Sequence, residues 1–347
     1  MSNSTRTRTS FNDLVRTVNI LQEMDPYVCL ILYVIGTCGA VLNIITFLQK
    51  QLRIKPCGVY FLATSIVDLS TVNMFILIQC ISTFNASLGD KILLSRIWCK
   101  FGNWLRFQSP CLASTYFALI SFDRFCVSSL NPTLRNWSNL RISRRVVVIS
   151  FLIWALLALH YPIAYDVRQD PSTMTNQCQV VLGSSTIFYI MDGLLFSLFN
   201  GAIIPFVLVL LSLLIFSNMN QSRNRVNPQQ NTIGINKARS GTGTAANGTT
   251  AIHSRHNSHM LRMVLAQALF TIILQIPFAV IYVYTYGNPV LTSFSTIQIY
   301  YISAYIARWL YLANYCKTFY INTLTSQLFR NSLHQQCRDL YYRYQRM

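Results

Sequence analysis

The amino-acid sequence predicts an all-α membrane protein, a bundle of seven transmembrane helices followed by a short amphipathic helix. Three observations predict it. The 347 residues are 52% hydrophobic and 11% charged, with a mean hydropathy of +0.37, where a soluble domain carries about 25% charged residues. Seven apolar segments, over 27–48, 58–83, 99–128, 145–164, 186–216, 259–286 and 296–324, each reach the ~20 residues that cross hydrocarbon as a helix. Basic residues gather in alternate loops. Those after the first, third and fifth segments, with the C-terminal tail, hold 15 Lys and Arg and a single acid, Asp339, whereas the N-terminus and the other loops hold six of each sign.

That asymmetry places the N-terminus outside and the C-terminus in the cytoplasm of a multi-pass plasma-membrane protein. The net charge of +18 is not a nucleic-acid signal. No acid falls between Gly193 and Arg338, and the basic residues sit in short loops between apolar runs, which is topology. Residues 1–26 are polar and lack a signal-peptide core, so they form an extracellular N-terminus and the first span serves as an uncleaved anchor. The membrane domain runs over 27–325. The third, fifth and seventh segments exceed the minimum length, which suits tilt.

Residues 217–258 are rich in Ser, Asn, Gln, Gly and Thr, the composition of a disordered cytoplasmic loop. It is either a linker or a basic surface for a partner or anionic headgroups. Residues 326–347 mix basic residues with Phe329, Leu333, Leu340 and Tyr341, as in a helix lying on the inner leaflet. Cys337 there is a palmitoylation candidate or a free thiol. Asn3 and Asn85 head glycosylation sequons on the outer side; Asn136 and Asn247 head two more on the inner side, where they are inert.

Ten scattered cysteines show no zinc-like spacing, and no cofactor is expected. Neither paired carboxylates nor a nucleophile–base pair occurs at membrane depth, which argues against an enzyme. A transporter would gather ionisable residues near the midplane, where Asp68 stands nearly alone. The third segment carries more. Cys99 begins it on the oxidising side, and Cys178 lies in the polar stretch between segments four and five. The two either form a disulfide or remain thiols. Asp123-Arg124-Phe125 ends the same segment 25 residues after Cys99. A charge at that depth defaults to a functional site. The bland alternative is an interfacial arginine that snorkels.

In order and spacing the chain resembles the rhodopsin-like G-protein-coupled receptors from residue 27 to about 335. Gly39 and Asn43 match the first helix, and Leu62-Ala63-Thr64-Ser65-Ile66-Val67-Asp68 the second. Cys99 and Asp123-Arg124-Phe125 match the third, Trp154 the fourth, Pro205 the fifth, Pro277 the sixth, and Leu328-Phe329-Arg330 the helix after the seventh. There are departures. Leu42 replaces a glycine before Asn43, and Gln275 stands where most members carry a tryptophan. The Asn-Pro-x-x-Tyr site reads Thr318-Phe319-Tyr320-Ile321-Asn322, without its proline. They mark a divergent branch, read as an invertebrate receptor of peptide type.

The resemblance implies a receptor that transmits binding of an extracellular ligand, a neuropeptide-like molecule or a small chemosensory one, to heterotrimeric G proteins through Asp123, Arg124 and Phe125. It implies a disulfide between Cys99 and Cys178 and a polar core of Asn43, Asp68 and Asn314. Sodium at Asp68 is one reading, set against Ala113 where the family has a serine; an Asp68 that links Asn43 and Asn314 is the other. Ligand-pocket candidates are Arg106, Arg308, Asp192, Gln275, Trp309 and Tyr305, with Trp104 and Tyr311. Arg106 stands where amine receptors carry an aspartate, which argues against an amine. Arg106 and Arg308 need counter-charges: Asp166, Asp170 or Asp192 within the chain, or a ligand anion. Leu312 at the Schiff-base position argues against an opsin, and Lys317 is read as a contact for Asp68 or for the inner interface.

Overall fold

Leu14, Val18, Leu21 and Asp25 recur at three- and four-residue spacing, so one face of a helix carries them all. In the structure, a computed structural model that describes residues 2–169, 175–181, 193, 195–233, 246–286 and 294–345, that face belongs to α1 (Ser2–Phe47). The stretch expected as a polar extracellular tail is thus helical, running past Pro26. It lies against the start of the seventh helix, where Gln298 Nε2 donates to Thr17 Oγ1 at 2.7 Å and the Phe11 and Phe294 rings meet at 5.8 Å.

The second helix, α2 (Pro56–Phe84), starts at a proline, whose missing N–H costs nothing in a first turn. It holds a π-helical turn at Val72–Ile76. Asn85 ends it and caps the short helix Ala86–Leu93 by accepting from Leu88 N at 3.1 Å. A π-helical turn, Trp98–Gly102, leads into α3 (Asn103–Ser128). The short helix Pro132–Trp137 follows, then α4 (Leu140–Leu157), capped by Asn139. His160–Ala164 leads to an antiparallel hairpin, β1 (Tyr165–Gln169) and β2 (Asn176–Val180), with Val167 opposite Cys178. This ribbon is the one addition to an otherwise all-α fold among the described residues.

After the π-helical turn Phe199–Ile203 come α5 (Ile204–Ile233) and α6 (Ala246–Tyr286), the latter containing Pro277. Helix thus occupies 217–233 and 246–258 of the stretch expected as a disordered loop, while 234–245 lies outside the described residues. The seventh helix, α7 (Phe294–Cys316), is interrupted at Lys317 and resumes as Thr318–Thr325; α8 (Gln327–Gln345) follows.

Helix α3 is the axis. It packs against α2, α4, α5 and α6, while α1 packs on α2 and α7, and α6 on α7. Five stretches, Phe11–Phe47, Pro56–Phe84, Leu140–Ala164, Leu195–Gln221 and Leu261–Thr285, are long and apolar enough to cross a membrane. The other two bundle helices, α3 and α7, carry Arg106, Asp123, Arg124 and Arg308. Apolar side chains cover the outside instead: Val148, Ile149, Leu152, Ile153 and Leu156 of α4 are each at least 50% exposed. Hydrocarbon, not water, suits that face.

At the Arg124 end an aromatic cluster closes the bundle. Phe47 stacks on Phe61 at 5.1 Å, and Phe329 reaches in from α8 to 5.5 Å from Phe47 and 5.9 Å from Phe319. Two side chains staple α8 to α1: Gln49 Nε2 donates to Ser332 O and Gln336 Nε2 to Ile45 O.

A Cβ on Gly58 would stand 2.1 Å from the Leu52 carbonyl oxygen, and one on Gly39 would stand 3.1 Å from the Tyr320 ring edge. Backbone cannot yield as a ring can. We expect Gly58→Ala to cut the yield of monodisperse detergent-solubilised protein severely and Gly39→Ala to leave it near normal. Equal behaviour of the two would reject the close approach at Gly58.

Candidate functional site

Adjacent residues on a helix diverge by about 100°, yet the long guanidinium of Arg124 folds back on its neighbour. Its Nη2 and Nε donate to Asp123 Oδ2 at 2.5 and 3.1 Å, and the other carboxylate oxygen accepts from Ser138 Oγ at 2.6 Å. Both Asp123 and Arg124 are buried, and Phe125 beside them is half-buried. Ser138 ends the helix Pro132–Trp137, so one carboxylate holds the arginine and the loop after α3 together. Lys55, just before α2, lies close by; burial first, and then repulsion from Arg124, push its ammonium below the usual lysine range.

A second polar group lies inside the bundle. Asn43 donates to Ser65 Oγ at 2.5 Å and accepts from Asn322 Nδ2 at 3.1 Å. Asn322 Oδ1 accepts from Gln267 Nε2 at 3.0 Å, and the same amide donates to Thr318 O at 2.9 Å. Thr318 Oγ1 donates to Asp68 Oδ2 at 2.9 Å. Asp68 therefore bonds to Thr318 and not to Asn43 or Asn314. Asn314 instead receives Lys317 Nζ on its backbone oxygen, at 2.9 Å, and on its side-chain oxygen. The Lys317 ammonium also lies 4.9 Å from the centre of the Phe117 ring. It is within electrostatic range of Asp68 but pairs directly with Asn314. Asp68 is the single carboxylate of this group, Ala113 supplies no side-chain oxygen beside it, and the Lys317 ammonium stands within electrostatic range. No group of three or more His, Cys, Asp or Glu side chains that could hold a metal occurs among the described residues.

A third constellation surrounds Gln275. Gln275 Nε2 donates to Ser114 Oγ at 3.1 Å and reaches Asn200 Oδ1 at 3.5 Å; Ser114 Oγ donates to Asn200 Oδ1 at 2.8 Å. All three are buried, joining α3, the turn before α5, and α6.

At the other end of α3 the disulfide Cys99–Cys178, with Cα atoms 5.6 Å apart, ties the hairpin over the bundle mouth. Beneath it opens a cavity of about 440 Å³. Arg106 and Phe107 of α3, Tyr161 before the hairpin and Tyr165 at its start, Phe278 and Tyr282 of α6, and Arg308 and Tyr311 of α7 line it. Larger by volume, at about 670 Å³, is an open cleft between α1 and α8; it touches none of the buried polar groups just described.

The pocket expectations divide. Arg106, Arg308 and Tyr311 line the cavity; Gln275, Tyr305, Trp309 and Trp104 do not. Gln275 lies in the buried polar triad, and Trp104 donates to Ala155 O on α4. The counter-charge of Arg308 is Asp25, which was not among the candidates. Arg308 Nη2 stands 2.5 Å from Asp25 Oδ1, Trp309 Nε1 donates to that oxygen at 2.7 Å, and Gln79 Nε2 donates to Oδ2 at 3.3 Å. The signal for it was in the sequence: an acid at the fourth position of the apolar stripe Leu14-Val18-Leu21-Asp25. Asp166, in β1, instead meets the exposed Arg96 at 3.5 Å. Asp170 and Asp192 lie outside the described residues, as do the side chains of Asn3 and Cys337. Asn85 is exposed. Tyr320 faces α1, donating to Ile35 O at 3.0 Å.

A model of one protein family, 7 transmembrane receptor (rhodopsin family), matches residues 39–317. No curated protein matches the chain.

The Asp25–Arg308 pair is buried on the Asp25 side and one-third exposed on the other. Its coupling should therefore fall between the near-zero worth of a surface pair and the 3–5 kcal/mol lost on breaking a fully buried one, at about 2 kcal/mol. A double-mutant cycle of Asp25→Asn and Arg308→Gln, read as thermal stability in detergent, measures it. Strict additivity of the two substitutions would reject the pair.

Proposed function

Because the chain belongs to the rhodopsin family of seven-transmembrane receptors, we propose that it is a plasma-membrane receptor that converts binding of an extracellular ligand into activation of a heterotrimeric G protein. The N-terminus and the hairpin end face outward, and α8 faces the cytoplasm. One observation carries the proposal. A disulfide-capped cavity and a buried, carboxylate-held arginine sit on the same helix, Arg106 and Arg124 being 18 residues or about 27 Å apart.

Between the two ends lie bonds that join helices rather than fill space. Gln275 links α6 to α3 and to Asn200, and Gln267 links α6 to the segment after α7. A ligand that favours a different placement of α6 must exchange both sets, and its differential affinity supplies the energy. Outward movement of the α6 inner end exposes Arg124, with Lys55 beside it, to the C-terminal helix of the Gα subunit. Coupling is reciprocal, so a bound G protein tightens ligand binding. A neuropeptide-like ligand is favoured, entering the cavity by one end of its chain. The cavity is also of the size that holds a whole small molecule, which keeps a chemosensory ligand as the second reading.

The proposal is tested by displaying the receptor with a promiscuous G protein against a peptide library. Arg124→Ala should remove the response while surface display persists; full signalling by that variant would reject the coupling role. Cys178→Ser should lower display or ligand response, since it frees the hairpin. An N-terminal epitope should be accessible on intact cells, and accessibility only after permeabilisation would reverse the orientation.

A further inference from the structure

Among the described residues, the cavity beneath the hairpin is lined by two guanidinium groups and by no carboxylate. The two cations are not equivalent. Arg308 is already neutralised by Asp25 and lies 4.7 Å from the centre of the Tyr305 ring. Arg106 is exposed and makes no ion pair or hydrogen bond with a described residue. An exposed guanidinium at an aromatic-lined cavity holds only water, which an anion can displace with charge-assisted hydrogen bonds.

The neighbouring donors have the same polarity. The Tyr315 hydroxyl donates to the Tyr311 oxygen at 2.9 Å, which leaves the Tyr311 proton for an acceptor in the cavity. Arg106 and Tyr311 line the same cavity. Aromatic rings form one side of the wall: Phe278 stacks on Tyr311 at 4.2 Å and meets Tyr282 at 5.8 Å, and Phe196 meets Tyr282 at 5.5 Å, while Thr71, Gln79, Ser82 and Asn103 add neutral polar groups elsewhere.

We infer that the ligand of this cavity is an organic anion with an aromatic or apolar body. Its carboxylate binds Arg106 in the two-pronged geometry a guanidinium offers and takes the Tyr311 proton as a third hydrogen bond. Its body lies along Phe278 and Tyr282. Arg308 is wall, not anchor, because Asp25 has already taken its charge. The inference rests on the receptor reading above, which makes this cavity the ligand site. The carboxylate can come from a small aromatic acid or from the free C-terminus of a peptide.

Purified receptor in lipid nanodiscs tests this directly, with binding read as a shift in thermal midpoint. The probes are 3-phenylpropionate and indole-3-acetate, the amides of both, phenylethylamine, and Phe-ending tripeptides with free or amidated C-termini. Free acids should stabilise the protein, and amides and amine should not; whether the small acids or the tripeptides do so identifies the source. Arg106→Gln should weaken acid binding about tenfold or more, with Arg106→Lys intermediate and serving as the folded control, and Tyr311→Phe should weaken it less. Equal binding of amides or amine, no binding by any acid, or unchanged binding in Arg106→Gln would overturn the inference. So would acid binding that appears only after Asp192→Asn, which would assign Arg106 to an internal pair. Nucleotide exchange on added Gα, measured separately, distinguishes the two readings. Acid binding without exchange keeps the anion site and removes the receptor role, whereas exchange driven only by neutral or cationic ligands does the reverse.

Discussion

A polar side chain inside a bundle surrounded by hydrocarbon has no water to turn to, so its partner must come from another part of the protein. One run of bonds meets part of that demand across four elements, leaving Asp68 Oδ1 and Gln267 Oε1 without a hydrogen bond to a described residue. Ser65 of α2, Asn43 of α1, Asn322 of the segment after α7, and Gln267 of α6 follow one another, and Thr318 carries the run to Asp68. Each bond contributes only about 1 kcal/mol net, but an orphaned member costs about 1–3 kcal/mol. Rotation of any one helix therefore breaks bonds on its neighbours. The aromatic cluster of Phe47, Phe61, Phe319 and Phe329 fills space next to this run, and the polar groups decide its register.

Two departures from the family pattern find their meaning in this network. Where the family has a proline in the seventh helix this chain has none, yet the helix still breaks, at Lys317. The Lys317 ammonium takes the Asn314 carbonyl, the acceptor that the Thr318 N–H would use in a continuous helix. A charge performs locally what a missing N–H does elsewhere. Gln275 likewise replaces the bulk of an indole by directed bonds to Ser114 and Asn200, so the contact between α3, α5 and α6 is held by hydrogen bonds whose loss is abrupt rather than graded.

The two ends of α3 are each organised by one acid. Asp123 binds Arg124 and Ser138, which fixes the loop after α3 to the helix. Asp25 gathers Arg308, Trp309 and Gln79, which fixes α1 to α2 and α7 beside the cavity. The second arrangement leaves Arg106 as the cavity's unneutralised cation among the described residues. An anion entering the cavity would thus owe its open partner to an ion pair it never needs to touch.

What could be read from the chain alone rests on short-range regularities. Apolar runs mark the spans, the distribution of Lys and Arg distinguishes alternate loops, and the spacing of Cys99 from Asp123-Arg124-Phe125 locates the axial helix. Gln275 and the proline-free seventh helix are visible in the same way as local departures. Pairings between distant positions are not. Asp25 meets Arg308 across 283 residues and Gln267 meets Asn322 across 55; the apolar stripe marks Asp25 as facing the bundle, but no local pattern says which arginine it meets. The helical course of residues 2–26 depends on contact with α7, which compensates polar composition that alone argues for a tail. Sequence determined where the membrane helices lie because burial in hydrocarbon acts on each segment separately. Only the packed bundle decided which charges are neutralised and which face the cavity, because that depends on distances between helices rather than along them.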